Sequence, residues 1–422
     1  MSLFPRAPLR ARSLLLAICV SFSTSTVAAQ TAATAPSIVT AASASLTLAE
    51  AFQLALTVQP WTLAASERQR EQQARETLAD SWLADSPTIS SGLKTGNRDG
   101  LREFEVEISA PIATASRRSL QVASVRGASA VYAANLAQLG LKLAGEVRDA
   151  YWAVQLAAGE LTLADDEVKR AEVVATDSAR RTAAGDSARV DTLQAELTVQ
   201  TLRSAHVEAE QRLNAAKQVL RGLIGDAAHQ GLADTVERRG SDASRALNEH
   251  PVLRLAGQSE QLARAKLNDA STLTNGAPTL SFALTNERST GSANASTARI
   301  GVSFPFGGTQ RATPRIAQAG AELAEAQASV PLLRRQLEAE ASSAQAAVIS
   351  AERRIEVLAE RGRLANEVAT LYAKAYRLGE LDLPTRLRAE GERAAANLAL
   401  NRARIELKHA ISRVNQSFGL VP

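Results

Sequence analysis

The sequence has few of the residues on which enzyme chemistry and disulfide-stapled folds depend. Its 422 residues include one cysteine and four histidines, and aromatic residues make up 4% of the chain. The single cysteine, Cys19, excludes a disulfide framework, and no two of the histidines lie close enough along the chain to suggest a metal site. A glycine-rich phosphate loop is missing too. We therefore predict a protein that is not an enzyme and that uses no cofactor and no metal.

Long apolar runs are also absent. The run near the N-terminus, LLLAICV, is far shorter than the ~20 residues of a membrane-spanning helix. Three arginines precede it and small residues follow it up to Ala29, which is the pattern of a secretory signal. We predict a signal peptide at residues 1–29 and a flexible lead-in at 30–45. A membrane anchor is the alternative, which the shortness of the run disfavours.

The charges are nearly balanced. The formal net charge of the whole chain is +4, and removal of the three leader arginines leaves +1, which argues against a nucleic-acid partner. Cys19 lies inside the leader, after the bulky Ile18, whereas lipid attachment favours a small preceding residue. Lipidation of Cys19 is left open. A mature chain without thiols must derive its stability from packing and assembly.

Prolines and glycines repeat at matched intervals, which indicates a duplicated chain. The interval from Pro60 to Pro87 equals the interval from Pro251 to Pro278. The longer interval from Pro111 to Gly185 likewise equals that from Pro305 to Gly379. We predict a first repeat at residues 46–230, a linker at 231–240 and a second repeat at 241–422.

Each repeat is predicted to hold a helix, a hairpin, a very long helix and a further helix. The helices are expected at about 61–85, 112–184 and 187–223, and again at 253–275, 315–378 and 381–418; the strands are expected within 87–110 and 278–304. Each of the two very long helices would be about 100 Å long. Gly185 and Gly379 mark the points where a long helix reverses, since glycine tolerates the left-handed conformation of many helix ends.

The predicted strands alternate between apolar and polar residues, so each has one apolar face. In the segment EFEVEISA the polar positions are Glu103, Glu105 and Glu107. The apolar positions, which we predict to face lipid, are Phe104, Val106, Ile108, Leu280, Phe282, Leu284, Ile300, Val302 and Phe304.

Four strands of roughly ten residues match the length of strands that cross a bilayer, but they cannot close a barrel. Because open strand edges are not tolerated in lipid, copies of the chain must complete the barrel, and three copies give twelve strands. The predicted fold class is mainly α with membrane β: duplicated helix, hairpin, long helix and helix units form a trimeric twelve-stranded barrel that continues as a long α-helical barrel.

The duplicated order of elements after a signal peptide resembles that of the TolC-type outer membrane efflux proteins, over essentially the whole mature chain. Three kinds of local motif agree with this resemblance. LTLAEAFQLALTVQP, at residues 46–60, looks like the opening segment of the family. SAPI and SFPF look like its strand-to-helix junctions, and AYRLGELDLPTRLRAE looks like its periplasmic helix tip.

The resemblance implies a homotrimer that conducts substrates passively, with a barrel in outer membrane lipid and a helical tunnel in the periplasm. It also implies docking of a periplasmic adaptor (membrane fusion) protein, which links the tunnel to an inner-membrane efflux pump of the resistance-nodulation-division type. The implied docking residues lie at the two tips: Gly185, Asp186, Arg377, Leu378, Gly379 and Glu380.

The resemblance further places Asp191 and Tyr376 at gate positions of the family, with an ordinary helix surface as the alternative. The best-studied member carries acidic residues six and nine positions after the second tip glycine, where this chain has Thr385 and Arg388. This departure puts a cation-binding constriction in doubt and makes Arg388 a third gate candidate. The tip resembles that of the heavy-metal efflux (CzcC-like) branch, so that metal cations or drugs are the expected cargo.

Some alternatives stay open at this stage. Glu103, Glu105 and Glu107 either line a cation-favouring lumen or form an ordinary solvated face. The competing class of protein is a secreted or surface adhesive coiled coil, which would carry sustained apolar heptads, whereas the long segments here present a broad alanine-filled surface. A periplasmic adaptor would need strand-rich domains that the pattern does not predict.

Overall fold

The structure, a computed structural model, describes residues 45–97, 100–229, 231–240 and 247–422. The predicted signal peptide and nearly all of the predicted lead-in lie outside these residues, as does Asp99, which lies within the segment where the first hairpin is expected. Cys19 lies outside them as well.

The first repeat runs from α1 to α5. The elements are α1 (Leu48–Thr57), α2 (Pro60–Leu63), α3 (Ala65–Ala79), β1 (Thr88–Thr95), β2 (Arg102–Pro111), α4 (Ala115–Ala184) and α5 (Arg189–Ile224). A 3-10 helix, Gly225–His229, follows α5. Helix α4 begins after Thr114, whose hydroxyl accepts a hydrogen bond from the backbone N–H of Arg117, and it spans about 105 Å.

The second repeat has the same order without counterparts for α1 and α2 among the described helices. Its elements are α6 (Pro251–Thr272), β3 (Thr279–Arg288), β4 (Ala295–Ser303), α7 (Thr309–Arg377) and α8 (Leu383–Ser417). Pro251 occupies the first turn of α6, where its missing N–H costs nothing, and His250 Nδ1 accepts from the N–H of Val252. Residues 231–240 contain no helix or strand.

The elements form one layer in which α4 and α7 run the full length. In the half nearest the sheet, the helix order across the layer is α3, α4, α6, α7, and in the half nearest the tips it is α5, α4, α8, α7. The sheet follows the same order, β1-β2-β3-β4, with every neighbouring pair antiparallel. One edge of the layer is therefore β1 with α3 and α5, and the other edge is β4 with α7.

The main core lies at mid-height, where the start of the first repeat, the linker and the C-terminal residues meet α4. Tyr151 on α4 is fully buried, and its hydroxyl lies 3.0 Å from the carbonyl oxygen of Leu46 and 2.5 Å from that of Ala233. Burial raises the pKa of Tyr151 to about 12. Buried Arg148, one turn away, donates to the Glu237 carboxylate and to the carbonyl oxygen of Leu420. These contacts hold the two repeats together.

Three expected boundaries are wrong. The helix expected at 61–85 is broken at Ala64 and ends at Ala79. Just past this end, Arg118 of α4 donates to the carbonyl oxygen and the carboxylate of Asp80 and so holds the chain where it leaves the helix. Helix α7 begins six residues before the expected 315 and carries Pro314 and Pro331 in its interior. Helix α6 ends at Thr272, three residues before the expected 275, where Arg315 donates to the carbonyl oxygen of Leu273.

The end of α8 meets the start of α6 through Gly419. Gly419 has φ +74°, and a Cβ built there would lie 2.7 Å from Pro251 Cδ and from His250 Cδ2. The N–H of Leu420 donates to the carbonyl oxygen of Asn415, which completes the left-handed helix end. Glycine at this position thus allows the two shorter helices of the second repeat to stack end to end.

We expect Gly419→Ala to destabilise the protein by more than about 2 kcal/mol, because it adds a left-handed non-glycine residue and a clash against a rigid proline ring. The matched control is Gly140→Ala inside α4, where an added Cβ meets nothing within 4 Å. This control should raise stability by about 0.5 to 1 kcal/mol. Thermal denaturation of the detergent-extracted protein measures both. Equal midpoints for the two variants would contradict the packing at Gly419.

Candidate functional site

Along most of its length the sheet separates its charged and apolar residues onto opposite faces. At the loop end, Arg102 and Arg288, which lie opposite each other, follow the apolar residues in the alternation. Glu103 pairs in register with Lys94 and with Glu287, and Lys94 Nζ lies 3.1 Å from the Glu103 carboxylate. Arg299 on β4 reaches across β3 to place a guanidinium nitrogen 2.7 Å from Glu105. The arginine stem covers Ala283, which is 1% exposed. Two of the three predicted lumen glutamates therefore carry a compensating cation on the same face.

Two glutamates on this face have no cationic partner among the described residues. Glu107 lies opposite Ser90 and Ala283, and Glu287 lies opposite Glu103 and Ala295. Sequence reasoning missed Glu287, Lys94 and Arg299 because alternation within one strand does not reveal which residues of other strands lie opposite. The polar face thus carries four acidic and two basic side chains, and its uncompensated charge resides at Glu107 and Glu287.

The opposite face of the sheet is apolar and uncovered. The described strands expose Ile89, Leu93 and most of the predicted lipid-facing residues; their exposed fractions range from 42% for Phe282 to 76% for Ile300. Val106 is half-buried at the centre of this face, between Ser91 and Leu284. Single exposed apolar residues are ordinary, but a continuous apolar sheet face of this kind needs a covering medium or partner.

The two tips are built alike, as the sequence pattern predicted. Gly185 has φ +85° and Gly379 has φ +77°. At each tip the residue after the glycine donates its N–H to a carbonyl oxygen five residues earlier, from Asp186 to Arg181 and from Glu380 to Ala375. This pattern is the Schellman motif that satisfies the last carbonyl groups of a helix. Leu378, beside the second glycine, is 65% exposed.

A cluster of charged and aromatic side chains joins the two tips. The buried ring of Tyr376 lies between two guanidinium groups, with Arg181 and Arg386 at 4.6 and 4.9 Å from its centroid. Both arginines also lie within 4 Å of the Asp177 carboxylate, at 3.6 and 3.8 Å. Arg181 donates further to the carbonyl oxygens of Tyr376 and Arg377. The first tip is thereby fastened to the second within one chain.

The predicted gate candidates are not brought together in one chain. Tyr376 makes its side-chain contacts with Arg181 and Arg386, and its buried hydroxyl has no hydrogen-bond partner among the described residues. Asp191 is half-buried in the first turn of α5, and Arg388 is exposed on α8. Sequence reasoning missed Asp177, Arg181 and Arg386, since their approach depends on the packing of α4 against α8.

Buried ion pairs continue this contact between α4 and α8 above the tips. Arg393 on α8, 5% exposed, donates to Glu167 on α4 at 2.8 Å and to Glu390 at 2.9 Å. One heptad higher on α4, Glu160 accepts from Arg402 at 2.6 Å. Burial raises the pKa of Glu167, and the Arg393 charge opposes that rise. Side chains from both repeats thus form a polar seam between α4 and α8.

The tip cluster predicts different results for two substitutions of Tyr376. Tyr376→Ala removes a buried ring that two arginines contact, and a loss of roughly 3 kcal/mol in local stability should speed tryptic cleavage at the tip arginines by at least about tenfold. Tyr376→Phe keeps the ring and removes a hydroxyl that has no partner among the described residues, so its cleavage rate should stay near that of the unmodified protein. Equal acceleration in both variants would contradict the cluster.

Within the described residues, no helix combines the length and the apolar character that a bilayer crossing requires. The same residues contain no group of three or more histidine, cysteine, aspartate or glutamate side chains that could hold a metal ion. The site therefore consists of an uncovered two-faced sheet at one end, charged tips at the other, and a long layer of helices between them. This architecture is the one that the resemblance to outer membrane channel-tunnels predicts.

Comparison with known proteins supports this class. Residues 84–226 match the family model described as outer membrane efflux protein. The solved outer-membrane channel OprN is 19% identical, covering 88% of this chain and 89% of its own, with a TM-score of 0.72. The outer membrane protein VceC of Vibrio cholerae is 14% identical, covering 89% of this chain and 96% of its own, with a TM-score of 0.73. No curated protein matches this chain in sequence.

The open state of the MtrE outer membrane channel of Neisseria gonorrhoeae has the same fold, at 16% identity and a TM-score of 0.69, with 88% of this chain and 89% of that one covered. The predicted resemblance to the TolC-type outer membrane efflux proteins is thus confirmed, by the family match for residues 84–226 and by the fold for about nine-tenths of the chain. The predicted fold class is confirmed for the duplicated helical layer with its small sheet.

Proposed function

We propose that this protein is the outer membrane channel-tunnel of an efflux system and that three copies close into one conduit. The observation that carries the proposal is a single four-stranded sheet with an uncovered apolar face and two unpaired edges, set on helices of about 105 Å. A sheet of this kind is stable in lipid only when its edges are closed. Three sheets supply twelve strands, a size compatible with a water-filled barrel.

The face of the sheet that carries the charges is proposed to line the water-filled interior, and the apolar face to contact outer membrane lipid. Strands of eight to ten residues suit a tilted crossing of the bilayer. The helical layer would then extend into the periplasm, which agrees with the secretory signal expected at residues 1–29.

The tips are proposed to be the docking end for a periplasmic adaptor protein, which connects the tunnel to an inner-membrane pump of the resistance-nodulation-division type. The exposed tip residues available for this contact include Asp186, Leu378 and Glu380. Selection and energy would reside in the pump, and the channel would conduct metal cations or drugs passively. Asp191, Tyr376 and Arg388 remain the proposed gate residues; Asp191 and Arg388 would act between copies of the chain, and the buried Tyr376 would act through its contacts with Arg181 and Arg386.

The assignment of the two faces can be tested with adjacent arginine substitutions in β3. Leu284→Arg puts a charge on the apolar face near mid-strand, where it should cost about 2 to 4 kcal/mol in lipid and reduce the amount of protein in the outer membrane fraction. Thr285→Arg puts the same charge on the polar face, opposite Glu105, and should leave the amount unchanged. Membrane fractionation measures both. The reverse result would assign the faces the other way.

Ion selectivity tests the proposed lumen. The double variant Glu107→Gln/Glu287→Gln removes the two uncompensated charges, so the reversal potential in a salt gradient should show a lower preference for cations. The double variant Glu105→Gln/Arg299→Gln removes a neutral ion pair of the same face and should leave the preference unchanged. An unchanged reversal potential in the first variant would mean that this face does not line the conduit.

A further inference from the structure

The apolar face of the sheet ends in a pair of arginines at the loop end, which is the end of the sheet away from the helices. Arg102 on β2 lies directly opposite Arg288 on β3, and both side chains are exposed. We propose that this pair binds the phosphate of a lipid headgroup in the membrane leaflet at the loop end. The inference rests on the proposed function, since it requires the apolar face to contact outer membrane lipid, and it adds a specific lipid site to that face.

The two arginines repel each other and have no acidic partner. Like charges that lie directly opposite each other on neighbouring strands destabilise a sheet. The described residues of this sheet face include no aspartate or glutamate, and neither guanidinium group forms an ion pair with any described residue. Arg288 Nε donates to Asn294 Oδ1 at 2.9 Å, which leaves the two terminal nitrogens of Arg288 available to an anion.

The other face of the same sheet compensates its cations. Lys94 Nζ lies 3.1 Å from the Glu103 carboxylate, and a guanidinium nitrogen of Arg299 lies 2.7 Å from the Glu105 carboxylate. Each cation of the polar face thus has a carboxylate partner within the chain, whereas the pair on the apolar face has none. The anion that would compensate the pair therefore comes from outside the described residues.

The position of the pair favours a lipid headgroup over a dissolved anion. Phe104, Val106 and Ile108 alternate along β2 on the same face as Arg102. The arginine pair lies about 7 Å along the strands beyond Phe104, at the end of this apolar run. In the proposed orientation the guanidinium groups lie at the boundary between acyl chains and headgroups, where long basic side chains extend toward polar groups.

The pair belongs to the two central strands of the sheet. The strand order is β1-β2-β3-β4, so β2 and β3 are separated from both edges where copies would meet. Each copy therefore carries its own site. At the helix end of the apolar face, the corresponding level holds uncharged Ala110, Leu280 and Val302, so the phosphate site occurs at the loop end alone among the described residues of this face. Arginine suits phosphate because its planar group donates two parallel hydrogen bonds to phosphate oxygens.

Lipid binding by the detergent-extracted full-length protein tests the site. Native mass spectrometry measures the binding of phosphatidic acid, whose phosphate is uncovered, and of phosphatidylcholine, whose phosphate carries a choline cation. The variant Arg102→Gln/Arg288→Gln should bind phosphatidic acid at least about tenfold more weakly than the unmodified protein, since each arginine adds attraction to an anionic headgroup. Phosphatidylcholine should bind both proteins alike.

The matched control is Lys94→Gln/Arg299→Gln, which removes the same number of cations from the other face of the sheet. It should keep the affinity for phosphatidic acid. The variant Arg102→Lys/Arg288→Lys keeps the charges without the planar groups, so its affinity should be intermediate. An equal loss of affinity in the control and in Arg102→Gln/Arg288→Gln would overturn the site, because the effect would then follow from the net charge of the protein.

Thermal denaturation supplies a second measurement. Phosphatidic acid should raise the unfolding midpoint of the unmodified protein but not that of Arg102→Gln/Arg288→Gln. Without lipid, the single variant Arg102→Gln should unfold at no lower a temperature than the unmodified protein, since it relieves the repulsion between the two arginines. An equal rise with lipid in both proteins, or a lower midpoint of Arg102→Gln without lipid, would contradict the proposal.

Inorganic phosphate distinguishes a lipid from a dissolved anion. At equal concentration it should not displace phosphatidic acid, because the apolar face beside the arginines holds the acyl chains. Displacement would mean a general anion site and would overturn the lipid site. A protein that conducts ions without preferring phosphatidic acid would keep the channel function and lose the lipid site. A protein that prefers phosphatidic acid and conducts no ions would do the reverse, so the two failures are distinguishable.

Discussion

The proposed assembly of copies depends on one constraint: the backbone N–H and C=O groups at the two open edges of the sheet need hydrogen-bond partners. Strands β1 and β4 each present unpaired N–H and C=O groups along one side, and one face of the sheet is apolar. Lipid cannot hydrogen-bond those groups, so in the proposed channel the edges pair with each other across copies. The helical layer has the same two edges as the sheet, since α3 and α5 continue the β1 edge and α7 continues the β4 edge.

The interior of one copy differs in character from these free edges. Between α4 and α8 lie Glu160 and Arg393, which are buried, and Glu167, which is half-buried, and each of them is paired across the seam. Buried pairs of this kind contribute little net stability, but removal of one partner is costly because the other charge stays buried. These ion pairs therefore determine the alignment of the two repeats more than they contribute to the free energy of their packing. Arg148 and Tyr151 have the same effect at mid-height, where they join the linker, the start of the first repeat and the C-terminal residues to α4.

Much of the fold could be read from the sequence because its signals are local. Matched proline and glycine intervals revealed the duplication, strict alternation revealed the apolar strand faces, and Gly185 and Gly379 have the left-handed conformation that a helix reversal requires. The early end of α3 could not be predicted in this way, since Arg118, which contacts Asp80 at this end, is 38 residues away in the chain. The candidate site was harder to predict because its contacts join residues far apart in the chain.

Two of those contacts show how large the separation along the sequence is. Arg299 compensates Glu105 from 194 residues away, and Arg181 reaches the backbone of Tyr376 from 195 residues away. Neither contact could be predicted from the residues that neighbour it in the sequence. A strand pattern reports which face a residue occupies, whereas register and helix packing decide which partner it meets.

The central claim is that copies of this chain enclose one conduit through the outer membrane. Recording the current through a planar bilayer that contains the purified, detergent-extracted protein tests it most directly. The account predicts discrete, uniform conductance steps from a protein whose mass is that of three chains. A protein that is a soluble monomer and produces no steps would contradict it.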